Sequence, residues 1–120
     1  MNELELEHRT KKSAVRIVQF VENLPKNKTS DGLGYQLLKS GTSVGANYRE
    51  ANRTQSSADF VRKIGMVEKE IAETQYLLEL FEEVGHGDTV ARKALIQEST
   101  QLLSIFIAIG KSTKANTRKF

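Results

Sequence analysis

Apolar residues recur along this chain at helical spacing, three and four residues apart, and nowhere with the strict alternation of a half-buried strand. Ala14, Ile17, Val18, Val21 and Leu24 form the first stripe, which predicts a helix over about 9–24, ended by Pro25. A second helix is predicted over 31–52, with Ser30 or Asp31 as its cap and Leu37, Gly41, Val44, Tyr48 and Ala51 as its inward stripe. Small residues crowd its middle: Ser40, Gly41, Ser43, Gly45 and Ala46. Each glycine inside a helix costs about 1 kcal/mol relative to alanine, so two within five residues imply the close approach of another element. The third helix, 57–84, has the clearest seam, with Phe60, Ile64, Val67, Ile71, Thr74, Leu78 and Phe81 alternating four and three apart. Ser56 or Ser57 with Asp59 can cap it, and Gly85-His86-Gly87 stops it. A fourth helix over 88–112 turns Ala91, Leu95, Leu102, Ile105, Phe106 and Ile109 inward. Four such helices with three short connections predict a single all-α domain over 1–120, an antiparallel up-down-up-down four-helix bundle.

Within the fourth helix, residues 102–109 read LLSIFIAI, apolar everywhere but Ser104. A helix that is apolar on all sides is buried on all sides, which one small bundle does not provide. A homo-oligomer is therefore expected, with Leu103 and Ile107 as candidate interface residues.

Composition narrows the class. With no Cys there is neither a disulfide framework nor a thiolate zinc site. The charged N-terminus and the lack of an apolar run of membrane length predict a soluble, cytoplasmic protein without a membrane partner. The formal charge of +3 conceals segregation. Residues 55–85 carry three Lys/Arg against seven Asp/Glu, whereas residues 86–120 carry six against two. Lys111, Lys114, Arg118 and Lys119 form a basic C-terminal tail, 111–120, free of acids. With Arg49 and Arg53, they are the candidate nucleic-acid-binding residues, since Lys and Arg meeting phosphates give salt-dependent, sequence-blind affinity. The same lysines also suit a helix C-terminus, where they complement the macrodipole.

Enzymatic motifs fail on context. Gly41-Thr42-Ser43-Val44-Gly45 has the G-x-S-x-G pattern but lies in a helix instead of a strand-to-helix elbow. Gly110-Lys111-Ser112 lacks the earlier glycine of a phosphate-binding loop, because position 105 is Ile105. Glu70 and Glu73 share a helical face, yet a di-iron bundle requires histidine at the second position. His8 and His86 stand apart in the sequence, so no catalytic residue, cofactor or metal site is assigned. Ser43, Asn47, Glu50, Glu70 and Glu73 are read as structural polar residues. Asn47, Glu50 and Glu73 either link the second and third helices by hydrogen bonds or point to water.

The run Ser43-x-Gly45-Ala46-Asn47-x-x-Glu50-Ala51, then Asp59-Phe60, then Glu70-x-x-Glu73-Thr74-x-Tyr76-x-Leu78, resembles the small bundle proteins encoded in bacterial 23S rRNA intervening sequences, sometimes labelled ribosomal proteins. The same pattern is similar to the accessory variability determinant of diversity-generating retroelements. The resemblance spans about residues 9–112. It implies an antiparallel four-helix protomer, a homopentamer with a central channel, and nucleic-acid binding through basic surfaces; in the retroelement branch it implies a reverse transcriptase as partner. Leu77 stands where many relatives carry Trp, and the net charge is modest beside the strongly basic retroelement proteins. The function expected is thus a non-enzymatic, homo-oligomeric bundle that binds RNA or DNA. The alternative is a protein-interaction scaffold or accessory subunit that does not touch nucleic acid.

Overall fold

A computed structural model describes residues 1–118, and among them every regular element is helical. The helices are α1 (Glu3–Glu22), α2 (Lys28–Ala51), α3 (Ser57–Val84) and α4 (Thr89–Arg118). They form a rod of 53 × 22 × 20 Å in which α1 packs on α2, α2 on α3, α3 on α4 and α4 back on α1. The diagonal pairs, α1 with α3 and α2 with α4, keep their backbones apart and meet only through core side chains. This is the antiparallel four-helix bundle that the periodicity predicts.

Several helix ends differ from the periodicity, for reasons of capping. α1 begins at Glu3, not near residue 9, because the Asn2 side chain accepts from the Glu5 backbone N–H at 2.8 Å. The added turns bury Leu6. α2 starts at Lys28, three residues before the expected position, with Asn27 and not Ser30 or Asp31 as its cap. Ser56 caps α3, Gly85 ends it with φ 71°, and Asp88 accepts from the Ala91 N–H at the head of α4. The segment expected as a basic tail is helical through Arg118, so α4 carries Lys111 and Lys114 on its last turns.

The core lies in two stacked halves. One half holds Leu6, Val44, Tyr48, Ile64, Val67, Ile71, Leu102 and Phe106, with Tyr48 and Phe106 edge to face at 5.1 Å. The other holds Ile17, Phe20, Leu37, Leu77, Leu78, Phe81 and Leu95, with Phe20 and Phe81 edge to face at 5.6 Å. Leu77 is fully covered in this half and is a core residue. A small void lined by Ser13, Thr74 and Ser99 lies where the halves meet. Nearby, the buried Thr74 hydroxyl donates to Ser40 Oγ at 2.9 Å, joining α3 to α2.

Gly41 and Gly45 of α2 face α1. An ideal Cβ at Gly41 would lie 2.9 Å from Ile17 Cγ2, and one at Gly45 would lie 3.1 Å from Thr10 Oγ1. At the other end of the rod, buried Arg92 donates to the carbonyls of His86 and Gly87 at 2.9 and 3.2 Å, holding the α3–α4 turn. The Ser30 hydroxyl and His86 Nδ1 lie 3.1 Å apart, tying that turn to the start of α2.

Candidate nucleic-acid interface

Up-down-up-down topology brings the α1 N-terminus, the α2–α3 loop and the α4 C-terminus to one end of the rod. There Glu3, Asn52, Thr54, Gln55, Ser56, Phe60 and Thr113 line an open depression of about 340 Å³. Arg53 lies on the same loop, exposed, and its side chain enters no ion pair among the described residues. Lys111 and Lys114 flank Thr113 on α4, both exposed and likewise without an ion-pair partner. These three cations face water and can make phosphate contacts at little desolvation cost.

Arg49 is placed differently. Its Nε lies 3.7 Å from Glu7 Oε1, and the other oxygen of Glu7 accepts from Asn52 Nδ2 at 2.9 Å. Glu7 therefore neutralises Arg49 locally and ties α1 to α2. The basic end is also interrupted by acids from the first turn of α1, Glu3 and Glu5. Lys63, a cation that charge counting by segment passed over, bonds Glu50 at 3.1 Å. Nothing is assigned to the Arg118 side chain, and Lys119 lies outside the described residues.

The polar motif residues do not form one network. Asn47 Nδ2 donates to the Ser43 carbonyl within α2 at 3.0 Å, Glu50 reaches Lys63, and Glu73 is exposed. The hydrogen bond that crosses α2 and α3 in the core is Ser40–Thr74. Thr74 stood in the apolar seam of the third helix, and that position was the available signal. Ser43, Glu70 and Glu73 instead line an open groove of about 410 Å³ between α2 and α3, together with Tyr35, Lys39 and Lys69. Partial burial there, and then repulsion from Glu73, push the Glu70 carboxyl above the usual glutamate range despite Lys69 and Lys39.

The apolar octapeptide is partly covered within the protomer. Leu102 and Phe106 are buried in the core, Leu103, Ile105, Ile107 and Ile109 are half-buried, and Ser104 and Ala108 are exposed. Leu6, on the early turns of α1, packs in the same cluster as Leu102 and Phe106, and Ile64, Val67 and Ile71 of α3 complete the cover. Across the α1–α4 seam, Arg9 is held by Glu98 in a two-pronged bond at 2.9 and 2.7 Å and also reaches Gln101 at 2.8 Å.

Sequence spacing assembled no nucleophile and base, whereas the fold does bring Ser30 to His86. That serine is 2% exposed and sits in a helical first turn, so the contact is a latch between two segments and not a displayed nucleophile. Among the described residues, no group of three or more His, Asp and Glu is placed to hold a metal ion, and no helix is long and apolar enough to cross a membrane.

Comparison with known proteins follows the same lines. A family model described as "23S rRNA-intervening sequence protein" matches residues 2–108. A 1.70 Å crystal structure of a protein of unknown function from Bacteroides thetaiotaomicron VPI-5482, assigned to the S23 ribosomal protein family, is 34% identical. It superposes with a TM-score of 0.84, covering 92% of this chain and 99% of its own. None of the curated proteins matches the chain.

Proposed function

We propose that this chain, which belongs to the 23S rRNA-intervening sequence protein family, is a non-enzymatic subunit of a homo-oligomer that binds RNA or DNA through one end of its bundle. The observation that carries the reading is the placement of Arg53, Lys111 and Lys114 at the same end, exposed and without ion pairs among the described residues. Arg49, although paired with Glu7, extends the surface on α2, and Leu103 and Ile107 lie at the subunit contact. In a ring of five, the stoichiometry the family resemblance implies, each weak set of phosphate contacts is repeated around one rim. Repetition converts low affinity per protomer into avidity.

The test is binding to structured RNA and to duplex DNA across a salt series. Affinity should fall steeply as salt rises, and Lys111→Ala with Lys114→Ala should lower the log–log slope by about one for each lysine that meets a phosphate. Absence of binding at about 50 mM salt, or binding indifferent to salt, overturns the proposal. The acidic outer side of α3, with exposed Glu73, Glu79 and Glu83, favours a second reading as a protein scaffold. Nuclease treatment separates the two: partners captured from cells are released in the first case and retained in the second.

A further inference from the structure

Two faces of the protomer that never meet each other carry opposite, unsatisfied charge. On the outer side of α1, Lys11, Lys12 and Arg16 are exposed, as are Leu4 and Val15 at 63% and 48%. On the outer side of α3, Glu73, Glu79 and Glu83 are exposed, with Tyr76 at 61% and Val84 at 50%. None of these charged groups forms an ion pair among the described residues. α1 and α3 are diagonal in the bundle and meet only through core side chains such as Phe20 and Phe81, so their outer faces lie on different sides of the rod.

The axial levels of the two faces also correspond. Arg9 of α1 bonds Glu98 and Gln101 of α4, and Thr100, between them, bonds Gln75 of α3 at 2.8 Å. Residue 9 is therefore level with about residue 75 or 76. Because α1 and α3 run in the same direction, that offset of about 67 holds along the rod. It sets Lys12 level with Glu79, Arg16 with Glu83, and Val15 beside Leu80 and Val84.

We infer that the outer face of α1 in one copy packs on the outer face of α3 in the next, with both copies pointing the same way. The contact is head to tail, because each copy uses two different surfaces. Repeated rotation about an axis parallel to the rod then closes a ring and preserves the matched levels. Such a ring gathers every α4 C-terminus and every α2–α3 loop on one rim. The occupant is a second copy of this chain, chosen by charge complementarity at corresponding heights and by the apolar side chains interleaved with the charges. This inference rests on the homo-oligomer proposed above.

The test is a charge swap read by light scattering and sedimentation, with circular dichroism to confirm folding. Lys12→Glu with Arg16→Glu should weaken association by about tenfold or more at low salt, and Glu79→Lys with Glu83→Lys should do the same. All four substitutions in one chain should restore assembly, and since the outer faces of α1 and α3 do not meet within a protomer, that rescue must act between copies. An assembly indifferent to either reversal, or a fourfold variant that stays dissociated while folded, overturns the assignment of faces and leaves the oligomer standing. A wild-type mass of 13.5 kDa in solution overturns both.

Discussion

At the scale of single residues, the glycines separate packing from propensity. Gly41 and Gly65 both sit inside helices and both carry the intrinsic cost of glycine there. A Cβ at Gly41 would meet the buried Ile17 at 2.9 Å, whereas one at Gly65 would meet nothing within 4 Å. Gly41→Ala should therefore destabilise the protein by about 1–3 kcal/mol through overpacking. Gly65→Ala should stabilise it by about 0.5–1 kcal/mol by restricting the unfolded chain. Thermal denaturation of the two variants checks both signs, and equal effects would mean that α1 does not press on α2 as described. Gly41 and Gly45 were legible in the sequence as a demand for a close neighbour. Which helix answered that demand was not, since spacing within one helix carries no information about its partner.

Helix pairs decide the fate of the polar residues. Glu70 lies in the α2–α3 groove, where burial first and Glu73 second raise its pKa. Because the folded state holds this proton more tightly than the unfolded chain, stability is lost as pH rises through the normal glutamate range toward the raised folded value. Glu70→Gln should thus raise the melting temperature at pH 7 and have little effect below about pH 4, where the wild-type carboxyl is protonated in both states. Denaturation at the two pH values measures the difference, and a constant difference would locate the effect elsewhere. Asn47, Glu50 and Glu73 were legible as polar residues near a helix contact, but their rotation about each helix axis was not. A turn of some tens of degrees moves a side chain from seam to groove, and side chains on other helices set that turn.

For the whole molecule, the question is what covers the apolar stretch of α4. Part of that surface is covered within the protomer by Leu6 of α1 and by Ile64, Val67 and Ile71 of α3. The remainder includes half-buried Ile107 and exposed Ala108. If a neighbouring copy covers them, Ile107→Glu should dissociate the assembly before it unfolds the protomer, because the cost of burying a charge falls on the contact. Light scattering and a melting curve on the same sample separate these outcomes. A protomer that unfolds without first dissociating would make Ile107 a core residue. The basic end of the molecule was likewise visible only in part. Lys111 and Lys114 remained available cations, while Arg49 was matched by Glu7 from a helix about 40 residues away in sequence.

What the sequence determined by itself is the number, kind and order of the elements: four amphipathic helices, their breaks at Pro25, the 52–56 stretch and Gly85, and a bundle as their common solution. These follow from local physics, because the period of apolar residues and the cap at each end act within a few turns of chain. Only the tertiary structure decided that Ser40 and Thr74 form the buried crossing and that Glu7 neutralises Arg49. It alone set α1 and α3 at a constant offset that brings opposite charges to the same height. Those outcomes depend on the axial shift and rotation of whole helices against one another, which contacts between distant residues settle jointly and no local stretch encodes.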